Sequence, residues 1–156
     1  MDVAVSLTGR CTARSQQGNR TGSGNGHSHE KRVTKMTDVL PQVESHLKIW
    51  ELGDAAQRAA EIDRIYTPDV EIIEPDGVIH GRAELNSRIG QLQDHFGGMS
   101  FTISGPVMTH NGYAFYPWDE QDRHGQHIAH GWDVLHFDGD HIDLAVMLTG
   151  QRPAPR

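Results

Sequence analysis

The 156-residue sequence holds one cysteine, Cys11, and no long apolar run. A single thiol excludes an intrachain disulfide. Its place near the start of the chain leaves the remainder without a thiol nucleophile or a cysteine-based zinc site. Such sparing use fits a reducing, cytoplasmic setting. No stretch approaches the roughly 20 apolar residues that cross a bilayer, and "MDVAVSLTGR" lacks the apolar centre of a secretory signal, so no membrane partner is expected. The Asn19-Arg20-Thr21 triplet is then idle as a glycosylation site.

A basic face is missing too. The formal charge is -7, and residues 1 to 35 carry six Lys/Arg against two Asp/Glu, which leaves eight against nineteen for residues 36 to 156. An acidic body lacks the basic face that releases counterions from a phosphate backbone, which argues against a nucleic-acid partner. What remains is a small neutral or cationic molecule, or a second copy of the chain. The length suits one core of ordinary size.

The stretch "RSQQGNRTGSGNGHSHEKRVTK", residues 14 to 35, is polar, glycine-rich and almost without apolar side chains. It offers nothing to offset its ordering entropy, so residues 1 to 35 are expected to be a disordered basic tail. Met36 is a candidate start of translation, and residues 36 to 156 are expected to form the folded domain.

From Thr37 the pattern is helical. Val43, Leu47 and Trp50 share one face, and beyond Gly53 a second stripe runs through Ala56, Ala59, Ala60, Ile62 and Ile65. At "VEIIEPDGVIHG" the period becomes two, and "GRAELNSRIGQLQDHF" restores helical spacing until Gly97-Gly98. "SFTISGPVM", "YAFYPW", "HIAHGWDVLHF" and "HIDLAVMLT" read as four long strands parted by Asn111-Gly112, "DEQDRHGQ" and Asp138-Gly139. Three helices in the first half followed by such strands predict an α+β fold, with helices packed on one face of a curved, mainly antiparallel sheet.

Two carboxylates stand out. If Val70 and Ile72 face the core, alternation turns Glu74 the same way, where desolvation would suit it to proton abstraction; alternatively it is the solvated end of its strand. Asp133, between Trp132 and Val134, needs a partner, a proton or a cavity, unless its face is solvent and Trp132, Val134 and Phe137 form the core. The histidines of "HGQHIAH" suggest a metal, but His127 and His130 are an odd number apart and should face opposite ways, so none is expected. Tyr113, Tyr116, Trp118 and Trp132 are candidate walls of a hydrophobic pocket, or else ordinary core.

The order of elements, the "VIHGRAEL" start of the third helix and the closing "WDVLHFDGDHI" hairpin resemble the nuclear transport factor 2-like superfamily, in its SnoaL-like and ketosteroid isomerase-like branch. The resemblance spans about residues 38 to 149. It implies a cone-shaped α+β barrel, a homodimer and no cofactor. On the "IIEPDG" motif it implies that Glu74 is the general base. On "WDVLHF" it implies that Asp133 is a protonated acid donating to an oxyanion. His46 then stands where that branch keeps an oxyanion tyrosine, a departure from the pattern. The reading is a cofactor-independent acid/base enzyme of isomerase or polyketide-cyclase type acting on a small apolar molecule. The alternatives are a non-catalytic ligand-binding or dimerisation module and, third, an epoxide hydrolase of the limonene type, which would need an arginine between two aspartates.

Overall fold

A computed structural model of the protein describes residues 39 to 150. The expected disordered tail, residues 1 to 35, and the candidate start at Met36 lie outside the described residues.

Three helices form as the apolar spacing requires. α1 (Leu40–Glu51) carries a proline in its first turn, where a missing N–H costs nothing, and buries Val43, His46, Leu47 and Trp50. α2 (Ala55–Ile65) is capped by Asp54, whose carboxylate accepts from the backbone N–H groups of Ala56 at 3.0 Å and Gln57 at 2.8 Å. α3 (Gly81–Phe96) follows the strands β1 (Tyr66–Glu74) and β2 (Gly77–His80). Glu84 accepts from the His80 N–H at its start, and glycines 97 and 98, both with positive φ, end it. The buried Arg58 ties the helices together by donating to the Leu52 carbonyl at 2.6 Å and to Asn86 Oδ1 at 2.7 Å.

The remaining strands are β3 (Ser100–Ile103), β4 (Met108–His110), β5 (Tyr113–Gln121), β6 (His127–Asp138) and β7 (His141–Gly150). All seven join one sheet in the order β2-β1-β7-β6-β5-β3, with β4 also on β5. Only the β1–β7 pair is parallel. The single long strand expected over 100–108 is instead two short ones. Pro117 explains the break, because a residue's N–H and C=O point the same way in a strand, and the Pro117 carbonyl accepts from Ser104 N on this edge. Its ring therefore removes the donor that the ladder would need there. Gly105 passes close above it, and a Cβ at 105 would lie 2.7 Å from the proline Cγ.

Alternation sorts the sheet into two faces. One inner row crosses Ile72, Ala145, Leu135 and Ala114, all fully buried, and packs with Val43, Leu47, Ile62, Ile65, Leu85 and Ile89 of the helices. Replacing Ile72 with alanine should therefore cost about 2–5 kcal/mol. Urea unfolding showing a loss within about half a kcal/mol would place Ile72 outside the core.

Candidate active site

The next inner row carries the polar groups. Asp133 pairs with Tyr116 on one side and Met147 on the other, and Glu74, one residue beyond the Ile73–Val146 pair, falls beside Met147. Glu74 and Asp133 thus lie on the same sheet face two strands apart, roughly 10 Å at ordinary strand spacing. One row further, Trp118 pairs with Gly131 and Ile103.

Asp133 is 1% exposed, and both of its oxygens accept. Trp118 Nε1 donates to Oδ1 at 2.8 Å, and the Tyr116 hydroxyl donates to Oδ2 at 2.9 Å. Trp118 reaches it because residue 131 is glycine: a Cβ there would stand 2.3 Å from the indole Cζ2 and 2.5 Å from the Leu148 carbonyl oxygen. His46, on the buried face of α1, places Nε2 3.3 Å from Asp133 Oδ2, and its Nδ1 is 2.7 Å from the Tyr66 hydroxyl. The result is an enclosed chain Tyr66, His46, Asp133, with Tyr116 and Trp118 converging on the carboxylate. An indole N–H can only donate and Tyr116 donates as well, so the geometry casts Asp133 as an acceptor. This differs from the protonated, donating acid that the family resemblance implied.

Among the described residues neither His46 Nε2, beyond its 3.3 Å approach to Asp133, nor Trp50 Nε1 makes a hydrogen bond. A buried polar group left unmade costs about 1–3 kcal/mol, which marks the spot for an oxygen from a ligand or water.

Burial dominates the phenols. It raises the Tyr66 hydroxyl well above its ordinary pKa, the negative charge of Asp133 adds to this, and the nearby Trp50 indole acts weakly the other way from a geometry too poor for a hydrogen bond. Burial likewise raises Tyr116, reinforced by the charge and hydrogen bond of Asp133. At the far end of the inner face Glu120, opposite Phe101 and Ala129, is also raised by desolvation, with His127 opposing.

Glu74 follows Val70 and Ile72 in facing inward, and its side chain is 8% exposed. It does not stand alone in an apolar wall, because Arg88 Nε of α3 donates to its Oε2 at 2.9 Å. The position implied for a general base therefore holds an ion pair. Tyr113 and Trp132 do not join the network: both lie on the outer face, where Tyr113 packs beside His136 and Trp132 beside His130. Tyr116 and Trp118 do join it, as donors to Asp133. Among the described residues no arginine is a partner of Asp133, so they do not form the arrangement that an epoxide hydrolase of the limonene type would need.

A bulge in β6 turns His127 and His130 to the same side, contrary to the simple alternation expected. Gln121 pairs with His127 while Glu120 pairs with Ala129, so Ile128 is left over. His127 and His130 therefore converge on Asp119 Oδ1, at 3.4 Å and 2.7 Å, instead of facing opposite ways. Among the described residues no three His, Cys, Asp or Glu side chains gather as metal ligands. Tyr66, Arg88 and Gly131 carry no mark in the sequence, and Trp50 is marked only as part of the apolar face of α1.

No protein-family model and no curated protein matches the sequence. Solved structures do match in fold. A SnoaL-like family protein of Agrobacterium tumefaciens, a candidate isomerase, superposes with a TM-score of 0.70 at 20% identity, over 74% of this chain and 100% of that one. A candidate SnoaL-like polyketide cyclase of Jannaschia sp. CCS1 gives 0.55 at 12% identity, over 69% and 84%. An NTF2-like protein of unknown function from Exiguobacterium gives 0.57 at 10% identity, over 71% and 99%. The fold is that of SnoaL-like, nuclear transport factor 2-like proteins: three helices on a mixed, mainly antiparallel, unclosed sheet.

The two buried phenols give a pH prediction. They hold their protons beyond about pH 10, where an unfolded tyrosine ionises, so the stability they contribute is intact below that pH and is lost above it. Asp133→Asn leaves the burial but removes the charge that adds to it, so both phenols should ionise at lower pH. Ultraviolet difference titration in a Tyr113→Phe background reads these two phenols alone; an unchanged curve in the Asp133 variant would separate them from that carboxylate.

Proposed function

We propose that the protein is a cofactor-independent acid/base enzyme, of isomerase or cyclase type, acting on a small, largely apolar molecule held against the inner face of the sheet. The observation that carries this reading is the enclosed carboxylate of Asp133, held by Tyr116 and Trp118 and set beside His46, whose ring Tyr66 orients. With the Tyr66 O–H donating to Nδ1, His46 carries its proton on Nε2. Asp133 then accepts a proton from an acidic C–H, and the unpartnered N–H groups of His46 and Trp50 receive the oxygen on which negative charge develops. In this reading Glu74, paired with Arg88, shapes the wall, and the base is Asp133. The likeness to a candidate isomerase and a candidate cyclase supports the same class of chemistry through fold alone.

The enclosure of Asp133 favours a second reading, in which the network is a buried structural device of a non-catalytic module. Kinetics separate the two. Turnover of substrates found by a thermal-shift screen of enones, steroids, anthraquinones and terpenoid epoxides should fall roughly 100-fold or more in Asp133→Asn, with ligand binding retained. Glu74→Gln should cost far less. Normal turnover in Asp133→Asn would defeat the catalytic reading.

The outer face supports a homodimer. An unbroken apolar stripe crosses six strands through Val78, Ile73, Val146, Val134, Phe115 and Met108, and its two ends are 46% and 54% exposed. Trp132, Pro117 and the exposed Leu148 extend it. A second copy covering this face would remove the apolar area from water. Sedimentation equilibrium should give a dimer at tens of micromolar, and Val134→Glu should yield monomer; a wild-type monomer would overturn the assignment.

A further inference from the structure

Arg88 has more donors than its partners use. A guanidinium offers five N–H groups. Nε is taken by Glu74, while Nη2 lies 3.9 Å from Asp76 Oδ2, too far for a hydrogen bond. Among the described residues the terminal nitrogens make no hydrogen bond. The side chain is 30% exposed and lines an open groove of about 480 Å³ along α3, together with Asp76, Gln91, Leu92, His95 and Phe96.

The groove pairs that fork with apolar surface. Leu92 and Phe96 follow Arg88 at one and two turns of the helix, so the apolar wall extends roughly 12 Å from the guanidinium. Phe96 is 59% exposed, the most exposed large apolar side chain among the described residues. Glu74, behind the groove, anchors Nε and so pre-orients the fork, which lowers the entropy lost when an anion docks. Two carboxylates oppose an incoming anion: Glu74, which is held at Nε, and Asp76, which stands at the solvated tip of the β1–β2 turn, where screening weakens its hold on Arg88.

We propose that this groove is a binding site for a small amphipathic carboxylic acid, its carboxylate taken by the terminal nitrogens of Arg88 and its apolar chain laid along Leu92 and Phe96. A bidentate carboxylate on a planar fork suits the donors, and a chain of medium length suits the wall. This site does not rest on the proton-transfer reading.

The test compares octanoate with octanamide by calorimetry and by amide chemical-shift mapping. Octanoate should bind about tenfold more tightly or better, with shifts concentrated on residues 88 to 96. Arg88→Gln should erase the preference, Arg88→Lys should reduce it, and Asp76→Asn should strengthen octanoate binding. Asp133→Asn should change none of these, which separates failure here from failure of the catalytic reading. Equal affinity for acid and amide, or a preference that survives in Arg88→Gln, would overturn the proposal. So would shifts that map to the Asp133 network.

Discussion

A carboxylate taken out of water must be compensated where it stands, and the interior of this domain is arranged around that requirement at Asp133. Removing the charge from solvent costs several kcal/mol unless donors are already in place. Tyr116 and Trp118 donate from the neighbouring strand β5, and His46 on the helix above sets its Nε2 3.3 Å from the carboxylate. Each is itself enclosed, so each needs its own support. Tyr66 holds His46, and Gly131 clears the space in which Trp118 lies across the sheet. One buried charge thus links the first helix, the start of β1 and the centre of the sheet.

Much of the scaffold was legible because it rests on local signals. Asp54 before an alanine-rich stretch, the paired glycines after Phe96, and Asn111-Gly112 each act within a few residues, and the elements begin and end there. Alternation also separates Tyr113 from Ala114 and Tyr116, so its outward position was readable from parity. The split between β3 and β4 was not, because its cause, Pro117, acts across the ladder and not along the chain. The bulge at Ile128 was hidden for the same reason, and it reversed the expected directions of His127 and His130.

The polar network was partly legible. Asp133 could be singled out because an aspartate between Trp132 and Val134 contradicts strand composition. Tyr66 gave no comparable signal: it continues the apolar stripe of Ile62 and Ile65, and it meets His46 only through packing of α1 against the strand that follows α2. Arg88 reads as an ordinary solvated charge on the polar flank of α3. Only the turn of β1 toward that helix brings Glu74 to it. Residues whose roles depend on a partner far along the chain are those that periodicity leaves unmarked.

The interruption at Pro117 bears on how this sheet meets other chains. Strand edges with unpaired N–H and C=O groups invite further strands, and a long, flat edge is a template for aggregation. Here one edge is divided between a four-residue and a three-residue strand, and the opposite edge is the four-residue β2. Neither offers a continuous ladder onto which a foreign strand can register. A proline one strand in from the edge, destabilising by propensity alone, thereby denies that edge a continuous ladder.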